Sequence, residues 1–487
     1  MSHDQLIHRN FIAGEWVIGS NVANNVNPSD TRDMIGCYTR ASAQQVEIAI
    51  AAAASVQPKW AAATPQRRFD VLDAIGSEIL TRQGELGELL AREEGKTLRE
   101  AVGEVVRAGQ IFKFFAGEAL RSNGDLVAST RPGIDVEISR DPIGVVALIT
   151  PWNFPIAIPA WKIAPALAYG NAVIFKPADV VPASAWALSE IISRAGLPEG
   201  TFNLVMARGI DIGDALMSDP RVSAVSFTGS ESTGRRVAAA CVSRPGAMAK
   251  FQLEMGGKNP LVVLDDADLE VAVECALNGS FYSTGQRCTA SSRLVVTTGI
   301  HDRFVEALIQ RLGTLRVGDA RNPSTLMGPV VDASQLRQDL DYIEIGSKEG
   351  ATLAFGGRAR DEVDGQPGYY LTPTLFTDTH NGMRINREEI FGPVAAVIRV
   401  ADLDEAISVA NDTEFGLSSG IVTTSLKSAR HFRQMAQAGM VMVNAPTAGV
   451  DPHVPFGGRK ASSYGPREQG RYAAEFFTTV KTAYVSA

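Results

Sequence analysis

The alternation of short strand-forming runs with helix-forming segments constrains the fold of this chain more than any other feature of its sequence. It occurs in two blocks, whose β-rich runs are residues 144–150, 171–176, 202–206 and 222–228, followed by 259–265, 292–298, 394–400 and 441–445. Parallel strands that follow one another need a long crossover connection, which is usually a helix. We therefore predict an α/β fold with two lobes, each a parallel sheet covered by helices.

Two other kinds of segment flank these blocks. Residues 41–122 are rich in Ala, Leu and Glu and predict helices, one of them capped by Thr64 and begun by Pro65. Residues 135–141 and 476–487 have the alternating or β-branched character of exposed strands. Because unpaired strand edges attract partners, we expect these two segments to pair with each other and to extend across a subunit interface.

Composition limits the classes of function. The chain has 487 residues. One hydrophobic core stops growing at roughly 250–300 residues, so two or more domains are expected. The 46 basic and 54 acidic side chains give a net charge of −8, and no cluster of Lys and Arg predicts nucleic-acid binding. Four scattered cysteines, Cys37, Cys241, Cys275 and Cys288, predict neither disulfides nor a metal site, and they indicate a reducing, cytoplasmic compartment.

No segment of the sequence predicts secretion or membrane insertion. The start, MSHDQLIHRN, lacks the basic and then apolar pattern of a signal peptide. Residues 143–161 are uncharged and nearly long enough to cross a bilayer, but they contain Pro151, Pro155 and Pro159. Because repeated prolines break a lone helix, we predict a buried strand followed by a loop there.

Cys288 is the candidate nucleophile. It lies in STGQRCTASS (283–292), a small polar turn between a predicted helix and a predicted strand, whereas most lone cysteines are apolar core residues. A cysteine at a turn that leads into a helix start, beside Arg287, would have its thiolate favoured by positive potential. We assign the other three cysteines to the core.

Two further side chains follow predicted strands and suit catalysis. Glu254 ends an apolar strand just before a Gly-Gly turn, where a ligand can approach the backbone closely. Asn153, in PWNFP (151–155), directly follows the strand 144–150, and its amide suits a developing oxyanion. The structural alternatives are a solvated strand-end charge for Glu254 and a plain proline-rich turn for PWNFP.

Two motifs predict a nucleotide site, because ligands of parallel sheets bind beyond the carboxyl ends of the strands. Lys176 and Asp179 end and follow the strand 171–176, where they suit ribose hydroxyls. FTGSESTG (227–234) opens a helix, and its Gly229, Ser230 and Gly234 allow a backbone cradle for phosphate. This second motif does not match the G-x-G-x-x-G fingerprint.

Taken together, the motifs resemble one family. PWNFP, FKPAD, FTGS, LEMGGKNP, GQRC, EEIFGPV and PFGG occur in the order of the NAD(P)-dependent aldehyde dehydrogenase superfamily, over essentially the whole chain. The resemblance implies a Rossmann-type cofactor domain, an α/β catalytic domain and a small β oligomerisation flap, in a homodimer or homotetramer. In this chain the three would be residues 1–122 with 143–253, residues 254–460, and residues 123–142 with 470–487.

The resemblance also implies a role for each matched residue. Cys288 would attack the aldehyde, Asn153 and the backbone N–H of Cys288 would hold the oxyanion, and Glu254 would activate the deacylating water. Because Cys288 and Glu254 are both present, acyl transfer to coenzyme A and a non-catalytic nucleotide-binding protein are the weaker alternatives. The cofactor would contact Lys176 and Asp179 at the adenosine ribose, Trp152 and Ser230 near the pyrophosphate, Glu389 at the nicotinamide ribose and Phe391 at the ring.

Asp179 bears on the choice of cofactor. In the resembled family, members that use NAD often have Glu at this position, and members that use NADP have a small or neutral residue. The shorter anion Asp179 should still repel a 2′-phosphate, so we predict that NAD is preferred. Arg208 follows the neighbouring strand and leaves NADP possible.

Two features of the sequence predict different substrates: the likeness over the whole chain, and the residues of the predicted substrate pocket. The likeness is greatest to the α-ketoglutaric semialdehyde (2,5-dioxopentanoate) dehydrogenases. Yet members that oxidise ω-carboxylate semialdehydes often carry arginines where this chain has Trp161 and Tyr282, and a desolvated carboxylate without a cation is costly. An aromatic or bulky apolar aldehyde is therefore the alternative. The predicted pocket residues are Phe154, Trp161, Tyr282, Arg287 and Phe456.

Overall fold

The computed structural model describes residues 7–121 and 124–486. Residues 1–6, 122, 123 and 487, which fall at the ends of predicted segments, lie outside the described residues. The strands, in chain order, are β1 (Ile7–His8), β2 (Asn10–Ile12), β3 (Glu15–Val17), β4 (Asn21–Asn27), β5 (Asp30–Arg40), β6 (Asp125–Ala128), β7 (Ile134–Pro142), β8 (Val145–Ile149), β9 (Ala172–Lys176), β10 (Phe202–Leu204), β11 (Val222–Thr228), β12 (Lys250–Glu254), β13 (Asn259–Val263), β14 (Ser291–Thr297), β15 (Thr352–Phe355), β16 (Ala359–Val363), β17 (Gln366–Leu371), β18 (Thr374–Thr379), β19 (Val394–Val400), β20 (Phe415–Gly416), β21 (Ser418–Val422), β22 (Met440–Val443), β23 (Arg459–Lys460), β24 (Ser463–Tyr464) and β25 (Thr478–Ser486).

Several helices begin at a side chain that caps their first turn. Thr64 accepts a hydrogen bond from the N–H of Arg67 at 3.2 Å, as predicted, and Thr97 forms a capping box with Glu100. In chain order the helices are α1 (Ala43–Ala61), α2 (Pro65–Thr81), α3 (Gln83–Glu94), α4 (Leu98–Ala119), α5 (Ala157–Ala168), α6 (Pro182–Ser193), α7 (Gly209–Ser218), α8 (Glu231–Ser243), α9 (Leu269–Phe281), α10 (Thr298–Gly313), α11 (Ala333–Lys348), α12 (Arg384–Arg387), α13 (Leu403–Asn411), α14 (Leu426–Met435) and α15 (Ala474–Phe477).

The first block forms a sheet in the order β24-β12-β11-β8-β9-β10-β2-β3. The five strands from β12 to β10 run parallel, and antiparallel strands close both edges. Helices cover both faces, and α5 is buried along its entire length. The predicted strands of this block are therefore confirmed, whereas the edge strands β2 and β3 were not predicted.

The second block forms a sheet in the order β15-β18-β19-β14-β13-β21-β22, parallel except for β15. Its predicted strands and the helices after β14 and Asp402 are also confirmed. The uncharged stretch 143–161 divides into β8, a loop and the first turns of α5. Within the described ranges, no helix is long and apolar enough to cross a membrane.

The two segments expected to pair form a third sheet, in the order β25-β7-β6. β25 and β7 are antiparallel in continuous register from Thr478 opposite Pro142 to Ser486 opposite Ile134, which confirms their predicted pairing. The C-terminal strand begins later than predicted. Residues 476 and 477 belong to α15, and both side chains are buried in the core of the first lobe, because these two phenylalanines are too apolar for an exposed strand.

Candidate active site

Cys288 lies in the connection between α9 and β14, where the chain turns tightly. Ser283 and Thr284 take the left-handed conformation, with φ of 51° and 55°. The carbonyl of Cys288 accepts a hydrogen bond from Nδ2 of Asn259 at 2.8 Å. Gly257 passes so close that a Cβ there would lie 2.5 Å from the same carbonyl oxygen. The cysteine backbone is thus fixed against the start of β13.

The Cys288 side chain lies between two cavities. The helix-side cavity, of about 240 Å³, is lined by residues of α4 and α5 and by the segments 283–289 and 449–456. The strand-side cavity, of about 340 Å³, is lined by residues after β8 and β11 and by residues 389 and 391. Ile158 of α5 lines both as well. A thiol reached from both sides can bring a molecule in one cavity into reaction with a molecule in the other.

The surroundings of Cys288 raise the pKa of its thiol above the ordinary value. Burial is the largest cause, and the charges of Glu389 and Glu254 add to it. The predicted positive potential is therefore wrong: Arg287 donates to the carbonyl of Asn278, and the next element is a strand rather than a helix. In the free protein the thiol is protonated at neutral pH, so its attack requires a proton acceptor.

The loop that carries Asn153 is held by a buried ion pair. The Nζ of Lys96 donates to Glu104 and to the carbonyl of Asn153, each at 2.7 Å. The second carboxylate oxygen of Glu104 accepts from the N–H of Ile156 at 2.9 Å. The Nδ2 of Asn153 donates to the carbonyl of Gln286 at 2.9 Å, two residues before the cysteine. The loop is therefore more than a plain proline-rich turn.

Glu254 is buried, with 2% of its surface exposed, so a solvated strand-end charge is excluded. Its Oε2 accepts a hydrogen bond from Oγ of Ser463 at 2.5 Å. Burial raises the pKa of its carboxyl well above the ordinary value and the charge of Glu468 adds to this, while Ser463 and Lys162 oppose the shift. Glu254 is not among the described residues that line the two cavities, although its charge acts on Cys288.

A buried lysine next to this carboxylate was not singled out from the sequence. Lys162, on α5, forms an ion pair with Glu468 and donates to Oγ of Ser226 at 2.7 Å. Both charged side chains are almost fully buried. A lysine inside an otherwise apolar helix is the sequence signal that indicates such a pair, because a buried charge needs a partner. The two charges of this pair act on the pKa of Glu254 in opposite directions: Glu468 raises it and Lys162 lowers it.

The strand-side cavity brings together most of the predicted cofactor residues. Those that line it are Trp152, Gly229, Ser230, Glu389 and Phe391. The rings of Trp152 and Phe391 meet edge to face, with centroids 5.3 Å apart. Ser230 is the N-cap of α8, so the free N–H groups of the first helical turn are close to this cavity.

Glu389 is held at the Gly-Gly turn. Its Oε1 accepts from the N–H of Gly257 at 2.8 Å, and burial raises the pKa of its carboxyl to about 7. A Cβ on Gly256 would lie 2.0 Å from its Oε2, so a larger residue at this position would displace the carboxylate. Gly234 does not line the cavity, because it packs α8 against Met255: a Cβ there would lie 2.4 Å from the sulfur.

The predicted ribose residues lie outside the described lining of this cavity. Lys176 is buried and donates to the carbonyl of the next residue, and burial lowers its pKa to about 8. Asp179 lies 3.7 Å from the guanidinium of Arg40. Arg208 forms a two-pronged ion pair with Asp211, with both distances 2.9 Å. Arg208 is therefore already engaged by a carboxylate.

The helix-side cavity is only partly as predicted. Phe154, Trp161, Phe456 and Arg287 line it, and the rings of Trp161 and Phe456 stack with centroids 5.3 Å apart. Tyr282 is not among the described residues that line this cavity. It follows directly on α9 and packs against the core of the second lobe.

One face of α4 supplies the lining residues that the sequence did not single out. They are Glu100, Gly103, Glu104 and Arg107, spaced three and four residues apart, as neighbours on one face of a helix must be. A polar set at this spacing, within a helix whose other buried residues are apolar, is the available signal. The arginine that the pocket appeared to lack is therefore supplied by α4.

Comparison with known proteins gives one consistent result. The sequence profile of the aldehyde dehydrogenase family matches residues 16–483. The α-ketoglutaric semialdehyde dehydrogenase of Bacillus subtilis is 43% identical over 484 residues, which cover 99% of each chain.

Solved structures agree with the sequence relatives. The betaine aldehyde dehydrogenase of Staphylococcus aureus in complex with NAD+ has a TM-score of 0.95 at 33% identity, covering 99% of this chain and 95% of that one. An NADP-dependent enzyme of E. coli has a TM-score of 0.94 at 35% identity, covering 99% and 98%.

Proposed function

Because the chain belongs to the aldehyde dehydrogenase family and is an oxidoreductase that acts on aldehydes, we propose that it oxidises a semialdehyde such as 2,5-dioxopentanoate to the dicarboxylate. The position of Cys288 carries this proposal, since this residue lines both the helix-side and the strand-side cavity. The aldehyde occupies the first cavity and the cofactor the second.

The chemistry begins at the sulfur. Sγ of Cys288 gives its proton to a solvent water and adds to the aldehyde carbon, forming the anion of a thiohemiacetal. Nδ2 of Asn153 and the backbone N–H of Cys288 stabilise the oxyanion that develops on the former carbonyl oxygen. The buried ion pair beneath PWNFP keeps the amide in place, so little reorganisation is needed when the charge forms.

The nicotinamide cofactor, when bound, supplies the acceptor for the hydride that leaves the carbon, and a thioester on Cys288 remains. Glu389 and Phe391 would hold its nicotinamide end, and Trp152, Gly229 and Ser230 its pyrophosphate. Glycines at 256 and 257 leave the space that the Glu389 carboxylate and the Cys288 carbonyl occupy. Glu254 then accepts a proton from the water that cleaves the thioester, which returns the thiol and releases the acid.

NAD is the proposed cofactor of choice. As the family resemblance implies, Asp179 would meet a 2′-phosphate with a negative charge, and Arg208 is occupied by Asp211. The ratio of kcat/KM for NAD+ and NADP+ tests this, with NAD+ expected to be better by about tenfold or more. A tenfold preference for NADP+ would contradict it.

Aromatic or bulky apolar aldehydes are the second candidate substrates, because Phe154 and the Trp161–Phe456 stack form an aromatic wall. A comparison of kcat/KM for 2,5-dioxopentanoate, benzaldehyde and betaine aldehyde separates the candidates. We expect the first to lead, and a lead for benzaldehyde would support the second candidate instead. Turnover of the first in the absence of coenzyme A is expected as well, since Glu254 supplies the base for hydrolysis.

We also propose the domain division given by the resemblance, with β6, β7 and β25 as the oligomerisation flap of a homodimer or homotetramer in the cytoplasm. Leu126, Val480 and Tyr484 expose apolar surface on this sheet, which supports its burial against a second subunit. The mass in solution, measured by light scattering, tests the oligomer. A monomer at micromolar concentration would contradict it.

A further inference from the structure

Arg107 brings an unpaired positive charge to the helix-side cavity. It lies on α4, one turn beyond Glu104, and lines the same cavity as Cys288. Within residues 7–121 and 124–486 its guanidinium forms no hydrogen bond and no ion pair. Burial lowers its pKa, but an arginine side chain stays charged at any pH that a protein tolerates.

The carboxylates nearest to Arg107 are bound elsewhere. Glu100 accepts hydrogen bonds from Thr97 with one oxygen and from Ser283 with the other. Glu104 accepts from Lys96 with one oxygen and from the loop N–H groups with the other. Asp451 acts on Arg107 through its charge, but it is exposed to solvent and lies beyond ion-pair distance.

A second arginine, Arg287, is only partly paired, since its Nη2 donates to the carbonyl of Asn278. Arg287 lines this cavity too, and its Nε is buried without a hydrogen-bond partner in the described part of the chain. Its charge and that of Arg107 are close enough to act on each other. Two like charges beside one small cavity repel each other, and a guanidinium in such a place binds a carboxylate better than any other common ligand.

We propose that Arg107 is the specificity-determining residue of the helix-side cavity, and that it binds, together with Arg287, the carboxylate at the far end of an ω-oxo acid. This rests on the proposed function, which places the aldehyde in the same cavity. The cavity, of about 240 Å³, lies just below the range of sites for drug-sized ligands, and it therefore suits a short linear molecule.

The proposal explains how the chain can resemble the semialdehyde dehydrogenases and still lack the arginines that such enzymes often carry. The positions of Trp161 and Tyr282 carry no arginine, yet the cavity holds a cation that comes from a helix earlier in the chain. The aromatic rings then cover the methylene chain between the carboxylate and the aldehyde. A cationic aldehyde is disfavoured by the same charge.

Two aldehydes of equal length, one with and one without a carboxylate, measure the contribution of that carboxylate to kcat/KM. Wild-type kcat/KM is compared for 5-oxopentanoate and pentanal, with 2,5-dioxopentanoate alongside. We expect Arg107→Gln to lower kcat/KM by about 10- to 100-fold for the two acids and to leave pentanal within about twofold. Arg107→Lys should recover part of the loss, because it restores the charge without the planar fork.

Binding and a cationic substrate give further readouts. The inhibition constant of glutarate against the aldehyde should rise in Arg107→Gln by a factor similar to the loss in kcat/KM. Betaine aldehyde should become a better substrate of the same variant, because a like charge has been removed. Arg303, exposed on α10, provides the control: Arg303→Gln should change none of these values.

The outcomes separate the two proposals. If wild type does not prefer 5-oxopentanoate over pentanal, the semialdehyde assignment itself fails. If wild type prefers the acid and Arg107→Gln keeps that preference, the assignment stands and the role of Arg107 is refuted. An equal loss for both aldehydes, with an unchanged melting temperature, also refutes it, because that would indicate a general effect on the site.

Discussion

The two cavities that meet at Cys288 are built from different parts of the fold. The strand-side cavity is made by loops that follow β8 and β11 and by a Gly-Gly turn, so glycine positions and backbone groups shape much of it. The helix-side cavity is made by side chains on the faces of α4 and α5 and by two loops. Backbone shape is hard to change by one substitution, whereas one side chain on a helix face can alter what the second cavity accepts.

Their charges differ as well. The strand-side cavity contains the carboxylate of Glu389, whose pKa burial raises to about 7. Two guanidinium groups line the helix-side cavity, those of Arg107 and Arg287, beside two carboxylates that other groups bind. Substitutions in one cavity should therefore change one substrate of the reaction and leave the other unaffected.

Cys288→Ala tests the point where the cavities meet, and it should have the largest effect. Loss of the nucleophile removes the covalent route, so kcat for aldehyde oxidation should fall by about 10³-fold or more. Binding of NAD+, followed by quenching of tryptophan fluorescence, should persist. Cys275→Ala, in the core of the second lobe, is the matched control and should retain its activity. Full activity of Cys288→Ala would refute the mechanism.

Glu254→Gln tests a group that is not in the described lining of either cavity but whose charge acts on Cys288. It should lower steady-state kcat by about 10²-fold, because the thioester loses its base. A burst of about one NADH per active site should precede the slow phase, since hydride removal comes earlier. The KM for both substrates should change little. The absence of a burst, with slow formation of the first NADH, would place Glu254 in the first step.

Gly256→Ala tests the strand-side cavity alone. The new methyl group would displace Glu389, whose Oε2 lies 2.0 Å from that position. We expect the KM for NAD+ to rise by about tenfold, while the KM for the aldehyde stays within about twofold. If both rise together, the two cavities are not independent.

Ser463→Ala should move the pH profile without abolishing activity. The Ser463 hydroxyl donates to Glu254 and thereby lowers the pKa of a carboxyl that burial raises. Without it the pKa rises further, and the base is ionised only at higher pH. The rising limb of kcat against pH should therefore shift to higher pH. A shift to lower pH, or none, would contradict the assignment of Glu254 as the base.

The strand-side cavity was far more predictable from the sequence than the helix-side cavity. Trp152, Gly229 and Ser230 directly follow predicted strands, and the carboxyl ends of parallel strands share one edge of a sheet. Glu389 and Phe391 were reached through the resemblance alone. Arg107 belongs to a helix earlier in the chain, where the polar spacing marks one face of the helix but does not show that this face meets Cys288. Tyr282, predicted for the same pocket, is not among its described lining residues.

Electrostatics around the nucleophile was predictable only in part. The neighbour Arg287 suggested a favoured thiolate, but adjacent residues in a sharp turn point in different directions. The charges of Glu254 and Glu389 raise the pKa of Cys288, and both residues are distant from it in sequence. Burial, the largest cause, depends on the packing of the whole lobe. Charge at a site follows from tertiary structure, so a local motif predicts the residue and not its pKa.

Gly103→Ala should have the smallest effect and probes the space on the helix side. Gly103 lies on α4, and a Cβ there would meet no atom within 4 Å. Removing a helical glycine should raise the free energy of unfolding by about 0.5–1 kcal/mol. Gly109→Ala is the control on the same helix: its Cβ would lie 2.6 Å from Leu80, so that variant should be destabilised.

Because Gly103 lines the helix-side cavity, its variant should raise the KM for benzaldehyde more than the KM for NAD+. An equal change in the two values, measured beside thermal unfolding, would show that α4 supports both cavities.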